Sequence, residues 1–125
     1  MAGTIVADTI QDGAGNSTSM DNAIYGSAKA WVNFNGSGST SIRGSFNVSS
    51  VTYNSTADYT VNFTNAMANV NYAVAQSVSS SSVAATYRTT VAEPRVFATT
   101  SLRLVTVYDS NILLDSYIVS VIIHI

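Results

Sequence analysis

The sequence predicts an all-β fold, either an antiparallel β-sandwich or a jelly-roll-like module, and three observations support this prediction. Apolar and polar residues alternate with a period of two along several segments, as in strands with one buried face. Glycine, serine and asparagine, which favour turns, separate these segments. No segment makes a convincing helix, because the best candidate, residues 64–72, is rich in asparagine.

Each strand is predicted from its local pattern. In the first of them, Ala30, Val32 and Phe34 alternate with Trp31 and Asn33. The strands with clear alternation are expected at residues 28–34, 41–48 and 58–64, and further strands near 70–78, 83–91, 95–99, 101–108 and 112–124.

Glycine and proline mark two interruptions in this pattern. The sequence Gly36-Ser37-Gly38 lies between two predicted strands and has no helix after it, so it predicts a hairpin turn rather than a phosphate-binding loop. Pro94 has no backbone N–H to donate to a sheet and therefore predicts a strand edge or a bulge.

The composition describes one domain with a core and a largely uncharged surface. The chain has 125 residues, of which 46% are hydrophobic, and its 19 serines, 14 threonines and 11 asparagines far outnumber its 12 charged residues. Such a surface suits a β-rich protein that is inert, repetitive or sugar-facing. Residues 1–27 have too little apolar content for a core, so we predict an extended N-terminal segment there and a β-sandwich module at 28–125.

Charge and cysteine content exclude several classes of partner. With a net charge of −2 and five scattered basic residues, the chain has no basic patch for a phosphate backbone, and we expect no nucleic acid partner. Cysteine is absent, which excludes disulfides and thiolate metal sites. The most apolar stretch, residues 111–125, is interrupted by Asp115 and is shorter than the roughly 20 residues of a spanning helix, so no membrane insertion is expected.

The few ionisable side chains form no catalytic or metal-binding pattern. His124 is the only histidine, and we expect it at a strand end or an interface rather than as a catalytic base. Glycoside hydrolysis needs two carboxylates beside the bond, whereas turn capping explains Asp58, Asp109 and Asp115 better. Glu93 is the only glutamate. We therefore predict no enzymatic activity, no cofactor and no metal.

The last segment is apolar at both parities, unlike a strand with one wet face. One parity carries Tyr117, Val119, Val121 and Ile123, and the other carries Ile118 and Ile122. Such a strand is central in two packed layers or has its second face covered by another subunit. Exposure of several large aliphatic side chains would forfeit several kcal/mol at about 25 cal/mol per Å². We predict an oligomer with the Tyr117 parity set at its interface.

Trp31, the only tryptophan, has two interpretations: a ligand platform or a contact between subunits. If Ala30, Val32 and Phe34 fill the core, Trp31 faces a second subunit or the solvent. Lys29, two residues away, can then lie over its ring. We favour packing between subunits, which adds Trp31 to the predicted interface.

Polar loops and tyrosines are the candidates for ligand contact. The run at residues 77–86, "SVSSSSVAAT", is a flexible linker or a loop at one end of the sheet, and the strand-like sequence on both sides favours the loop. Tyrosine rings can stack on sugars, although a half-buried strand position explains each tyrosine better. The tyrosines considered are Tyr53, Tyr72, Tyr87, Tyr108 and Tyr117.

Three motifs stand in order in the first half of the chain. They are Lys-Ala-Trp-Val-Asn-Phe-Asn-Gly at 29–36, Ile-Arg-Gly-Ser-Phe-Asn-Val-Ser-Ser at 42–50 and Asp-Tyr-Thr-Val-Asn-Phe-Thr at 58–64. Together they resemble a module found in tail fibres and related virion appendages of tailed bacteriophages. The preceding stretch at 3–17 is similar to the lead-in that joins the module to an appendage. Residues 79–125 match no motif of that family.

The resemblance implies a non-enzymatic, homotrimeric virion protein, a tail fibre or fibre-tip module that attaches to the host surface. The N-terminal segment would dock onto tail or capsid proteins or onto sister subunits, and loops near 77–84 and 109–112 would contact a receptor, for which we expect a host-surface glycan. The residues expected at the receptor are Ser79, Ser80, Ser81, Ser82, Asp109 and Asn111.

Two other functions stay open at this level. A capsid fibre, decoration or assembly protein would have only virion partners and would need no receptor loop. A depolymerase fragment would need paired carboxylates that converge in a groove, for example between subunits.

Overall fold

A computed structural model describes residues 2–79, 90–109 and 111–125. Strands make up 57% of these residues and helix 6%, and the strands pair antiparallel, so the predicted all-β antiparallel class is confirmed. The strands are β1 (Thr9–Gln11), β2 (Ser17–Ser19), β3 (Ala30–Asn35), β4 (Ser41–Phe46), β5 (Val48–Ser55), β6 (Asp58–Phe63), β7 (Ala73–Ser79), β8 (Thr90–Phe97), β9 (Ser101–Tyr108), β10 (Ile112–Leu113) and β11 (Ile118–His124), and one helix, α1, spans Met20–Gly26.

Two sheets pack face to face to form the sandwich. The β11 sheet has the strand order β4-β3-β11-β7. In the β9 sheet, β9 pairs with β6, β8 and β10, and β6 pairs in turn with β5. Phe34 of the first sheet meets Tyr59 of the second edge to face, with 5.2 Å between the ring centroids. The hydrophobic core therefore lies between the two sheets.

Alternation in β3 and β6 selects the core residues. Ala30, Val32 and Phe34 are 0–2% exposed, and Tyr59 and Val61 are fully buried. Since successive strand residues point to opposite faces, each buried residue is followed by one that faces outward. The strands predicted at 28–34 and 58–64 are confirmed, as is the hairpin turn between β3 and β4.

The prediction of a central strand at the C-terminus is confirmed, but the predicted subunit interface on its Tyr117 parity is not. β11 is the central strand of its sheet, paired with β3 and β7, and only one of its faces packs into the sandwich. Val119, Val121 and Ile123 are 0–1% exposed inside their own chain, so their assignment to a subunit interface is wrong. Burial on this face needs no second copy, because the β9 sheet already covers it. Ile122, on the other face, is 41% exposed.

A β-bulge between β3 and β4 places Ile42 and Phe46 on opposite faces of the sheet, although simple alternation predicts the same face for both. The register between β3 and β4 shifts at Asn33/Phe34, so Ile42 pairs with Phe34 but Phe46 pairs with Trp31. A shift of one residue moves every later side chain to the opposite face. Phe46 consequently lies on the outer face, 55% exposed.

Asn47 ends the strand that was predicted to reach residue 48. It adopts φ 55°, and after it the chain crosses into the other sheet as β5, a strand that the sequence analysis missed. β5 is an edge strand with mostly exposed polar residues. Such a strand carries little apolar alternation, so the pattern did not reveal it.

Differences elsewhere concern the bounds of strands. The separate strands predicted at 83–91 and 95–99 are replaced in the described part by the single strand β8. The register of β8 shifts at Pro94/Val96, which fits the second of the two alternatives predicted for Pro94, a strand edge or a bulge. The strand predicted at 112–124 is two strands, β10 and β11. Residues 64–72 form a loop and not a helix, as their asparagine content indicates.

The N-terminal arm, residues 2–27, is a small substructure beside the sandwich. β1 and β2 pair around a turn in which the Asp12 carboxylate accepts hydrogen bonds from the N–H groups of Ala14 and Asn16, both at 2.9 Å. α1 follows, and the expectation of no helix is wrong there: Ser19 caps it by accepting from the Asn22 N–H at 3.2 Å. The arm is thus a hairpin and a helical turn rather than simply extended.

Candidate functional site

The two ends of the sandwich carry different parts of the chain. The arm enters at the proximal end, where the Lys29 N–H donates to the Ile123 carbonyl at 2.7 Å. The distal end carries the β3–β4 loop at 36–40, the β5–β6 turn at 56–57 and the segments on either side of residue 110. β7 ends there and β8 begins there, since Ser79 pairs with Ile118 and Thr90 with Tyr108.

Hydrogen bonds tie the distal loops to one another. The Gly36 N–H donates to the Ser116 carbonyl at 2.9 Å, and the Asp115 carboxylate accepts from the Ala57 N–H at 2.6 Å. The Tyr59 hydroxyl lies 2.9 Å from the Gly36 carbonyl oxygen and 3.1 Å from Asp115 Oδ1. Asp115 thus caps a turn, as predicted, but it does so for a loop that is distant in the sequence.

Tyr59 acts as a donor throughout the ordinary pH range. Burial, and then the charge of the nearby Asp115 carboxylate, raise the pKa of the phenol well above its usual value. The hydroxyl therefore stays protonated. This cluster holds the loops in place, and its buried hydroxyl is not available to a ligand.

The predicted receptor residues that the structure describes lie at the distal end. Ser79 is the last residue of β7, and Asp109 and Asn111 flank the turn between β9 and β10. Both turn residues are exposed and have positive φ, 34° and 76°, a conformation that Asp and Asn tolerate better than most residues. Ser80, Ser81 and Ser82 lie outside the described residues.

The tyrosine candidates divide according to exposure. Tyr72 is buried in the core, and Tyr87 lies outside the described residues. Tyr53 is 43% exposed, and its hydroxyl donates to Asp115 Oδ2 at 3.2 Å. Tyr117, expected at an interface, is 38% exposed, but the Arg43 guanidinium covers one ring face at 4.7 Å from the centroid. Among the described residues, Tyr53 and Tyr117 are therefore the exposed aromatic groups of the distal half.

Asp58 belongs to an ion pair on the outer face of the β9 sheet. Arg103 binds it in a bidentate manner, with Nε 2.9 Å from Oδ1 and Nη2 2.6 Å from Oδ2, and Asn54 donates to Oδ1 at 3.0 Å. The hydrogen bonds from Arg103 lower the pKa of Asp58, and the bond from Asn54 adds to this effect against the opposing effect of burial. The carboxylate is therefore held in a structural ion pair.

Replacement of Asp58 by asparagine is expected to remove a stability contribution that depends on pH. Because the pKa of Asp58 is lower in the folded state, its contribution is complete above about pH 4 and is lost as the pH falls towards the lowered value. Asp58→Asn should cost roughly 1–2 kcal/mol at neutral pH, and the difference from wild type should shrink under acid conditions. Urea unfolding at several pH values measures this. Asp8→Asn, in the exposed arm, is the control, and a difference that stays constant with pH would contradict the assignment.

Within residues 2–79, 90–109 and 111–125, no three His, Asp or Glu side chains are grouped as metal ligands would be. His124 lies near the end of β11, paired with Ala73 and partly buried, as expected for a strand-end residue. In the same described part, no helix has the length and apolar character required to cross a bilayer.

A row of apolar side chains crosses the outer face of the β11 sheet. Backbone pairing places Phe46 beside Trp31, Trp31 beside Ile122, and Ile122 beside Ala75. Residues directly opposite one another in antiparallel strands point to the same face. We call these four residues the apolar row. The β9 sheet differs on its outer face, where Asn62 Nδ2 bonds to the hydroxyls of Ser50 and Thr52, both at 3.0 Å.

Trp31 faces outward, as both of its interpretations require, and is 42% exposed. Its ring lies against Gly44, where an added Cβ would be 3.4 Å away. The Lys29 ammonium does not stack on it, contrary to expectation, because it binds the carbonyl of Ile24 at the end of α1 and the Ser27 hydroxyl. The sequence analysis missed Phe46 as its neighbour, since only the bulge brings that residue to this face.

Comparison with models of known protein families, with curated proteins and with solved structures finds no match for this chain.

Proposed function

We propose that this chain is a non-enzymatic virion appendage protein of a tailed bacteriophage, a tail fibre or fibre-tip module that assembles as a homotrimer and attaches to a glycan on the host surface. The observation that carries the proposal is the separation of the two ends of the sandwich. The arm joins at Lys29 on the proximal end, while Ser79, Asp109 and Asn111 stand at the distal end. A module of this shape presents one end to the particle and the other to a surface.

The chemistry of the distal end is compatible with weak binding of sugars. It offers exposed amide and carboxylate groups at Asn111 and Asp109 and an exposed aromatic ring at Tyr53. Asp115 and Tyr59 hold the loops rigid, which lowers the entropy cost of binding. Several copies on one particle would multiply weak contacts into avidity. The resemblance of residues 29–64 to appendage modules supports the same function.

Binding to host cells by the isolated protein is the direct test. We expect saturable adsorption to the bacterium that the phage infects, and binding to a subset of glycans on an array. Asp109→Asn and Asn111→Asp should each weaken binding about tenfold, the effect of one lost hydrogen bond to a ligand. Glu93→Gln makes the same change from acid to amide on β8, outside both the distal loops and the arm, and should leave binding unchanged.

The alternative function, a capsid fibre, decoration or assembly protein with only virion partners, predicts different results. The wild-type protein would then bind neither cells nor glycans. Gold-labelled antibody against the protein would mark the whole capsid rather than one pole of the particle. The exposed apolar residues of the arm are compatible with virion partners in both cases.

A further inference from the structure

We propose that the N-terminal arm of one copy packs on the apolar row of a second copy, so that each subunit donates an arm to one neighbour and receives an arm from another. This inference rests on the assembly of several copies that the proposed function assumes, and it specifies the surface that holds them together. Its occupant is residues 2–27 of the neighbouring chain. Three properties of the described residues support it: area, charge and position.

The apolar row alone is too small for a stable interface. Trp31, Phe46 and Ile122 are 42%, 55% and 41% exposed, which leaves roughly 250 Å² of apolar side-chain surface. A standard interface buries about 800 Å² on each partner, of which somewhat more than half, about 450–500 Å², is apolar. Two copies stacked row against row would therefore fall short.

The arm offers a larger apolar area than a second row does. Its large apolar side chains are uncovered, and none of the residues of α1 is buried. The exposed fractions are 85% for Ile5, 94% for Val6, 46% for Ile10, 49% for Ile24 and 67% for Tyr25. These side chains present roughly 400 Å². Each contact between an arm and a row brings together roughly 650 Å² of apolar surface from the two partners, against roughly 500 Å² for two stacked rows, and each copy takes part in two such contacts.

Charge favours the arm as the occupant over a second sheet. The arm contains Asp8, Asp12 and Asp21 and no lysine or arginine, whereas the rest of the chain holds all five basic residues against four acidic ones. Arg43 stands on the same outer face as the row, with its guanidinium 2.8 Å from the Tyr117 carbonyl oxygen and beside Asn33. An acidic arm and a basic sheet face attract each other, while two identical faces would place Arg43 near another Arg43.

The place where the arm leaves the sandwich favours an exchange of arms between neighbouring copies. The arm leaves the sandwich at Lys29, two residues before Trp31, at the end of the sheet where Phe46 lies. A cleft of about 420 Å³, lined by residues that include Ala28, Phe46 and Asn65, opens beside the row at this end. Each copy thus carries its arm next to its own receiving face, and a closed ring of such head-to-tail contacts gives a cyclic oligomer.

Charge substitution at Ile122 tests the occupant. Ile122→Asp should weaken self-association at least about 30-fold, as expected for a charge placed at the centre of an apolar interface. Ile122→Lys should weaken it much less, because lysine faces an acidic arm. Sedimentation equilibrium of the full chain gives the self-association constant of each variant. Thr52→Asp, on the outer face of the β9 sheet, is the control. Equal effects of Asp and Lys would indicate a contact between two sheets and overturn the proposal, as would no effect of either.

Cross-linking gives a second readout that does not depend on affinity. The chain has no cysteine, so a single cysteine can be placed in the arm of one chain (Val6→Cys or Ile24→Cys) and at Ala75→Cys at the end of the row of another. When the two are unfolded together, refolded and oxidised, we expect a disulfide between the unlike chains. Thr52→Cys in place of Ala75→Cys should give none. A stable oligomer in which neither arm cysteine links to Ala75→Cys would overturn the proposal.

These experiments use purified protein without a host, so their failure differs from failure of the proposed function. A chain that binds cells but exchanges no arm would keep the attachment function and lose this interface. A chain that exchanges arms but binds no glycan would keep the interface and favour the role with only virion partners. A monomer at all accessible concentrations would remove the interface.

Discussion

Replacement of Gly36 by alanine is expected to lower the free energy of unfolding by about 3 kcal/mol, the upper range for overpacking of a tight site. A Cβ at this position would lie 2.5 Å from the Tyr59 hydroxyl oxygen and 2.9 Å from the Ser116 carbonyl oxygen. The second of these atoms is backbone and cannot rotate away. The midpoint of thermal unfolding should fall by about 10 °C or more for a chain of this size, as measured by calorimetry.

Gly38 in the same loop provides the matched control. It has φ +70° and open space around it, so alanine there meets only backbone strain, and we expect a cost of about 1 kcal/mol. Combination of Gly36→Ala with Tyr59→Phe should cost less than the sum of the single changes, because the second removes one of the clashing atoms. Equal costs at Gly36 and Gly38, or strict additivity with Tyr59→Phe, would contradict the close packing at Gly36.

Asn47→Ala is expected to cost about 2–3 kcal/mol, from the loss of side-chain hydrogen bonds and from strain in the left-handed region. Asn47 Nδ2 donates to the carbonyls of Lys29 at 3.0 Å and Asn65 at 3.1 Å, and Oδ1 accepts from the Asn65 N–H at 2.7 Å. One side chain thereby ties the start of β3 to the loop that follows β6. Its backbone lies at φ 55°, which alanine adopts only with strain.

Asn47→Gly separates the two contributions. Glycine accepts the positive φ without strain but makes none of the three hydrogen bonds, so it should recover about 1 kcal/mol of the loss. Urea unfolding of the three proteins measures the difference. If the Asn47→Gly protein were no more stable than the Asn47→Ala protein, backbone strain would not contribute to the loss of stability at this position. If alanine matched wild type, the bridge between the sheets would have no energetic role.

Gly36 and Asn47 lie at opposite ends of the sandwich and serve its two surfaces. The cluster at Gly36 holds the distal loops that we propose for glycan contact. The bridge at Asn47 holds the proximal end beside Phe46, where we propose that the arm of a neighbour packs. Changes at Gly36 should therefore affect ligand binding more than assembly, and changes at Asn47 should affect assembly more than ligand binding.

The placement of candidate site residues was only partly predictable from the sequence. Asp109 and Asn111 are recognisable as exposed turn residues, because Asp and Asn favour turns. Nothing in the local pattern indicates that Asp115 would cap the turn at Ala57, which is 58 residues away. The contact depends on strand order, and turns rich in serine and asparagine specify strand register only weakly.

Local pattern alone determined the class of fold, the burial of Ala30, Val32 and Phe34, the hairpin after β3 and an interruption of regular pairing at Pro94. Hydrophobic period, turn chemistry and the missing proline N–H all act within a few residues. Only the tertiary structure decided that Val119, Val121 and Ile123 belong to the core of one chain, and that Phe46 joins Trp31 and Ile122 outside it. An apolar residue indicates that its face of the strand is buried in the folded protein. Which sheet, arm or subunit buries that face depends on strand register and on residues far along the chain.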